Sequence, residues 1–325
     1  MPDSEVQQVR AAVRATGLFA RDRPLLAMLS GGRDSTCLLD VAVALLGSSS
    51  VLALHVNYGL RPEAAAEEQR CRELCAELGA DLHVARPEAR QMEGAGNLQA
   101  WARDVRYGEA ERLAGERDAL IATGHTASDQ VETILYRLAA SPGRRALLGM
   151  PAAEGRLVRP LLGLSREQTG AYCAAAGLPF SEDASNEDER FARARVRHGV
   201  VPALRAVHPA AEANVLRTAA LLREETELLD SLVDAELSRR EAIELVRLKE
   251  MPPALARMVV VRLAEQAAGT YVPQAGERVG ELLELGRRGG RAELHVGGRA
   301  GAVIEDGVLR MVRLPPRESR RPDDL

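Results

Sequence analysis

The sequence predicts an α/β fold on a doubly wound parallel sheet, followed by a smaller C-terminal domain that is first helical and then α+β. Three observations carry this. An apolar run, Leu25 to Leu29, leads into Ser30-Gly31-Gly32-Arg33-Asp34-Ser35, and an apolar-periodic stretch, Leu38 to Leu46, leaves it: strand, glycine loop, helix. Short apolar segments then alternate with helical ones as far as Ala122, as parallel strands joined by crossover helices do. Beyond Pro209 the pattern changes to long helices and then to short alternating segments with Gly-Gly and Asp-Gly turns.

In order along the chain, Glu5 to Thr16 is an N-terminal helix and Val51 to Val56 a second strand ending at His55-Val56-Asn57-Tyr58-Gly59-Leu60-Arg61. The acidic stretch Pro62 to Leu78 has helical periodicity. Asp81 to Ala85 is a third strand, Asn97 to Arg117 a long helix, and Ala119 to Ala122 a fourth strand ending at Thr123-Gly124-His125. Helical periodicity returns over Arg166 to Ala176, Arg190 to Val207, Ala211 to Glu241 and Pro252 to Ala268. Ala292 to Val296, Ala300 to Glu305 and Val308 to Leu314 then form hairpins. The domains are read as 1–209 and 210–314, with a disordered tail over 315–325.

Composition sets limits on function. With 325 residues, 46% hydrophobic and 28% charged, the chain is long enough for two buried cores. No apolar run reaches membrane-span length and Met1 to Gln8 is polar, so a cytoplasmic protein with no membrane partner is expected. Cys37, Cys71, Cys75 and Cys173 show no CxxC spacing and read as buried thiols. The net charge of −4 argues against a nucleic-acid partner, but its distribution argues for one. Between Arg190 and Arg217 stand six arginines and a single acid, Glu212. Clustering, not the total, makes an electrostatic footprint.

Four groups of residues carry chemistry. Adjacent glycines at 31 and 32 let the backbone approach an anion closely, and the N-terminus of the following helix favours negative charge. The loop is built for phosphate, yet it is not a Walker A loop, because no lysine follows the glycines. In Thr123-Gly124-His125-Thr126-Ala127-Ser128-Asp129-Gln130-Val131-Glu132-Thr133, the residues His125, Asp129 and Glu132 are spaced to share one face of a helix at the end of a buried strand. Asp183-Ala184-Ser185-Asn186-Glu187-Asp188 reads as a polar turn, with Ser185 or Asn186 capping a helix on which Arg193 and Arg197 present paired forks to phosphate. Arg103 is similarly aligned with Arg106 and Tyr107, on a helix that reads equally well as a surface ion-pair face.

The glycine loop resembles the SGGxDS loop of the N-type ATP pyrophosphatases, which cleave ATP between the α and β phosphates. The resemblance narrows to the tRNA-isoleucine lysidine synthetase family through HVNYGLR at 55–61, ARDVRY at 102–107, GHTASDQVET at 124–133 with LYRLAASPGRRALLGM after it, RPLL at 159–162 and PFSEDASNED at 179–188. It covers roughly residues 25 to 205, and the family also has a helical and α+β C-terminal domain. The chain departs from the family's HVDHGLR at Asn57 and Tyr58, from its GHHxDDQxET at Thr126 and Ser128, and from its RNxxR at Ala194.

The resemblance implies an ATP pyrophosphatase catalytic domain over 1–209 in which Ser30, Gly31, Gly32, Arg33, Asp34 and Ser35 bind ATP and Asp34 stands near Mg²⁺. It implies ligation of free lysine to C2 of the wobble cytidine of an isoleucine tRNA with a CAU anticodon, through an adenylated tRNA. Asp34, His125 and Asp129 would then be catalytic, with His125 or Asp129 as the base. Asp129 and Glu132 would bind lysine, and Arg103, Arg106, Arg193 and Arg197 would bind tRNA. A homodimer is compatible with this reading. The alternatives are another tRNA-modifying ATP pyrophosphatase, such as a thiolase, or a non-catalytic tRNA binder. The absence of CxxC pairs speaks against the first, and intact Asp34, His125, Asp129 and Glu132 against the second.

Overall fold

The computed structural model describes residues 2–20, 22–60, 62–87, 98–141, 143–181, 192–238 and 240–315. It divides into two compact units, Met1–Leu222 and Arg223–Leu325. Arg61, the 183–188 turn, Arg190 and the tail beyond Pro315 lie outside the described residues.

The first unit begins with helix α1 (Pro2–Ala15) and then alternates: β1 (Leu25–Met28), α2 (Arg33–Leu46), β2 (Val51–Val56), α3 (Ala64–Leu78), β3 (Asp81–Ala85), α4 (Leu98–Arg117), β4 (Leu120–Ala122), α5 (Ala127–Ala140). Two short strands, β5 (Ala153–Glu154) and β6 (Leu157–Val158), and helix α6 (Arg166–Ala175) follow. The sheet order is β3-β2-β1-β4-β6-β5, with every pairing parallel except β5 with β6. Strand order therefore reverses direction between β1 and β4, and such a switch point opens a crevice at the carboxyl ends of the strands.

Strand alternation builds two cores. Leu25, Ala27, Val51 and Ala53 pack with Val9 and Val13 of α1 and with α2. Leu26, Met28, Leu52 and Leu54 pack with Ala110, Leu113 and Ala114 of α4. Both faces of the sheet are covered, as a parallel sheet requires. A partly buried ion pair ties the helices of the first face together. Arg10 donates from Nη2 to Asp40 Oδ2 at 2.8 Å and from Nε to the Tyr172 hydroxyl at 3.0 Å, which joins α1, α2 and α6.

The arginine-rich segment forms α7 (Ala192–Arg195), a π-type turn at Val196–Val200, and α8 (Val201–Val207). Helix α9 (Ala211–Leu237) contains the boundary between the units. The second unit continues with β7 (Ala242–Glu244), α10 (Leu245–Glu250), α11 (Pro253–Ala268), α12 (Val279–Arg287), β8 (Ala292–Gly297), β9 (Ala300–Glu305) and β10 (Val308–Arg313). Its sheet, in the order β7-β10-β9-β8, is antiparallel throughout. Val259, Val260, Leu263, Leu282, Ile304 and Leu309 form its core.

Candidate active site

The glycine loop leaves β1 where Leu29 N–H still bonds to Leu54 of β2 at 2.8 Å. Gly31 has φ +84°, a left-handed conformation, and a Cβ there would stand 3.3 Å from Cys71 Sγ, so the turn requires glycine. Its carbonyl accepts from the backbone N–H of Ser181 at 3.0 Å and from the Ser181 hydroxyl at 3.2 Å. Ser35 donates to the Gly32 carbonyl at 2.8 Å and shares a 3.0 Å hydroxyl contact with Ser30, which closes the loop on itself. Gly32 caps α2 with no side-chain bond to the helix N-terminus. That end is left to an anion.

Across the switch point, Gly124 follows β4 and lies hard against this loop. A Cβ at 124 would meet the backbone of Asp34 at 3.0 Å and Ser35 N at 3.1 Å. Next to it, His125 Nδ1 is 2.8 Å from the Thr123 hydroxyl. Helix α5 begins only at Ala127, with Thr126 as its N-cap, so His125 is not on the helix and the expected three-residue face is corrected to two. The physical reason is a capping box. Asp129 accepts from Thr126 N and Thr126 Oγ1, both at 2.8 Å, and this fixes the helix start downstream of the histidine.

Asp34, Asp129 and Glu132 are nevertheless brought together, by one arginine. Arg166 places Nη2 at 2.9 Å from Asp129 Oδ1, Nη1 at 3.4 Å from Glu132 Oε1 and Nε at 3.7 Å from Asp34 Oδ2. Arg197 grips Glu132 as a fork, with Nε to Oε1 at 2.6 Å and Nη2 to Oε2 at 3.0 Å. Thr169, one turn along α6 from Arg166, donates to Asp34 Oδ1, and Arg33 Nε is 3.7 Å from the same atom. The Arg33 stem crosses α6 at Gly170, where a Cβ would be 3.0 Å from Arg33 Cδ.

Burial decides the electrostatics. It holds the His125 imidazolium down at about 4 against the pull of Asp129, with Arg159, Arg193 and Arg103 adding to the depression. The ring is therefore neutral at neutral pH. Burial also raises Asp34, and the Asp129 charge adds to it, against the hydrogen bond from Thr169 and the charges of Arg166 and Arg33. At Asp129 burial pushes up, but Arg166 and the two bonds from Thr126 outweigh it and the carboxyl is held low.

The arginines expected to bind tRNA separate into two kinds. Arg103 and Arg106 flank Tyr107, with guanidinium carbons 4.5 and 5.8 Å from its ring centre. Arg193 bonds to Thr133 Oγ1 at 3.3 Å, and Arg197 is turned inward onto Glu132, so the pair does not present two forks side by side. The π-type turn that begins at Val196 breaks the α-helical spacing on which that expectation rested.

A family model described as a PP-loop domain matches residues 3–204 of this chain. The tRNA(Ile)-lysidine synthase of Mycolicibacterium paratuberculosis is 36% identical over 96% of this chain and 98% of its own length. The chain belongs to the tRNA(Ile)-lysidine synthase family. A further member, from Pseudomonas fluorescens (strain Pf0-1), is 40% identical over 65% of this chain but 48% of its own, so the chain spans about half the length of that relative. Among solved structures, the U34-tRNA thiolase NcsA from Methanococcus maripaludis, with its 4Fe-4S cluster, superposes with a TM-score of 0.56 at 16% identity, over 68% of this chain and 80% of its own. That likeness is one of fold.

Within the lysidine synthase family's pattern, the departures each have a local role here. Asn57 donates to Glu68 Oε2 at 2.9 Å, a bond an aspartate could not make, and Tyr58 donates to the Ala102 carbonyl at 2.7 Å. Thr126 caps α5, Ser128 Oγ accepts from Arg166 N at 3.3 Å, and Ala194 is buried. Arg166 and Thr169 are the site residues that sequence reasoning missed. The one local signal was Arg166 itself, a cation in the first turn of α6, where the helix dipole disfavours it.

The residues present fit a bound triphosphate and its Mg²⁺. The loop offers a glycine backbone and an uncapped helix end, and Arg33 Nε is buried without a hydrogen-bond partner. Mg²⁺ is commonly held by one or two carboxylates together with substrate phosphates, which Asp34 alone can satisfy.

Proposed function

We propose that this chain joins free lysine to C2 of the wobble cytidine of an isoleucine tRNA with a CAU anticodon, at the expense of ATP, in the cytoplasm. The observation that carries the reading is the meeting of two elements at one switch point: an anion-binding glycine loop and, across Gly124, a pair of carboxylates on α5. An anion site beside a cation site suits a triphosphate beside an amine.

The chemistry accounts for each part. The exocyclic oxygen at C2 of a pyrimidine is a poor leaving group. In the first step the cytidine O2 attacks the α phosphorus and pyrophosphate leaves, which converts that oxygen into part of AMP. In the second, the lysine ε-nitrogen forms its bond to C2, the C2–O bond breaks, AMP departs, and the nitrogen gives up a proton. Ser30, Gly31, Gly32, Arg33 and Ser35 hold the phosphates. Asp34 would hold Mg²⁺, which when bound offsets charge on the departing pyrophosphate.

Asp129 and Glu132 receive the ammonium. With a pKa of about 10.4, that ammonium lies about 4.6 kcal/mol below its neutral form at pH 7, so deprotonation has to be coupled to attack. His125 is the base in this reading. It is neutral and stands one residue before the cap of α5, whereas Asp129 receives the ammonium and holds the Thr126 cap. Nothing among the described residues supports a cluster-dependent sulfur transfer, since no group of three His, Cys, Asp or Glu side chains there is placed to hold a metal.

Product analysis with components omitted tests the order of events. Pyrophosphate should appear with tRNA and ATP alone, and AMP only after lysine is added. AMP release that needs no lysine, at the rate seen with it, would contradict the two-step reading.

A further inference from the structure

Among the described residues, three carboxylates (Asp34, Asp129, Glu132) face three guanidiniums (Arg33, Arg166, Arg197) with contacts between 2.6 and 3.8 Å. The charges balance. A cationic substrate entering this cluster would overfill it unless an arginine withdraws. The three arginines are not equally placed to do so. Arg197 holds Glu132 through both nitrogens of its fork, the strongest geometry available to such a pair. Arg33 touches Asp34 alone, and its stem is packed across Gly170. Arg166 instead spends each of its three nitrogens on a different carboxylate, singly, at 2.9, 3.4 and 3.7 Å. It is also the only one of the three that touches all three carboxylates.

We infer that Arg166 is an internal stand-in for the amine substrate, a positioning residue that occupies the lysine carboxylates in the free enzyme and is displaced when lysine binds. This rests on the functional reading above. Its backbone stays anchored, because Arg166 N bonds to Ser128 and α6 is pinned to α2 through Thr169 and Asp34. Only the side chain need move. Once displaced, the guanidinium keeps its charge, and the anion the reaction supplies is phosphate over the adjoining loop. Lysine binding thereby delivers a cation to the ATP side. A second consequence concerns selectivity: a weakly bound or wrongly sized amine does not repay the displacement of Arg166.

The test is lysine affinity in the absence of ATP, by calorimetry, alongside steady-state kinetics with isoleucine tRNA, for wild type, Arg166→Ala, Arg166→Gln and Arg166→Lys. Removing the internal competitor should tighten lysine binding by about fivefold or more, the low end of couplings between competing groups. The same variants should lose kcat, because no cation is delivered to the phosphates. Arg166→Lys should return both quantities toward wild type. The two neutral variants back each other up should one fail to fold. If wild type makes lysine-bearing tRNA while the folded neutral variants bind lysine no more tightly than it does, the stand-in role is overturned and the functional reading stands. If wild type makes none, the functional reading falls and the inference with it.

Discussion

His125 is set apart from its neighbours by a single number. Its folded pKa of about 4 lies below the ordinary histidine value of about 6.5, because burial outweighs the attraction of Asp129. The sign follows directly. Between these two values the unfolded chain binds a proton that the folded chain refuses, so stability falls as pH drops from 6.5 to 4, by up to about 3 kcal/mol. Glu68 acts in a different window. The Asn57 amide, then Arg72 and Arg86, hold its carboxyl at about 2, so its contribution is present above about 4.5 and is lost only as pH falls toward 2. Urea unfolding at pH 7 and pH 4.5 separates the two. Wild type should lose stability between them, and His125→Gln should lose clearly less. Equal losses would show that His125 is not the buried neutral imidazole described here.

At the scale of elements, Gly124 joins two of them that the sequence could only place separately. A Cβ at 124 meets backbone, not a yielding side chain, so Gly124→Ala must move either the loop or the start of α5. Overpacking of this kind costs about 1–3 kcal/mol. The ATP KM should rise with it, as the phosphate loop shifts. Gly108→Ala is the control: it sits in α4 with nothing within 4 Å of the new methyl and should gain up to about 1 kcal/mol. An unchanged ATP KM in Gly124→Ala would mean that the loop tolerates the displacement.

The same elements show what a sequence can carry. Strands β1 to β4 and helices α2, α4, α6, α9 and α11 were legible because each is long enough to show its period or is bounded by glycine and proline. Strands β5, β6 and β7 have two or three residues, too few for any period, and unlike the similarly short β4 they are not followed by a Thr-Gly-His motif. Helix α12 lay in a stretch with no cap or turn signal strong enough to mark it. At the site, Asp34, Asp129 and Glu132 were found by motif, and their convergence is now a matter of distance. The role of Arg166 was not legible, for a physical reason. Its meaning comes from Asp34, Asp129 and Glu132 on other elements, the nearest of them 34 positions away along the chain.

On the scale of the whole molecule, the net charge of −4 means that any attraction to tRNA must be local. Arg103 is exposed on α4 and stacked over Tyr107, whereas Arg197 is occupied by Glu132. Arg103→Ala should therefore lower the salt slope of tRNA binding by about one, the value for one lost phosphate contact. Arg197→Ala should leave that slope unchanged while impairing lysine use. The reverse outcome, measured by tRNA affinity across a salt series, would return Arg197 to the backbone-binding role that the sequence first suggested. No described helix is long and apolar enough to cross a membrane.

In the function proposed above, this protein spends ATP to attach lysine to one tRNA. That function is tested most directly by incubating the protein with ATP, radiolabelled lysine and a panel of tRNAs that includes isoleucine tRNA with the CAU anticodon and methionine tRNA with the same anticodon. ATP-dependent label is expected in the isoleucine tRNA alone, one lysine for each AMP formed, located on the wobble cytidine after nuclease digestion. ATP consumption without label in any tRNA, or label on the methionine tRNA to the same extent, would contradict it.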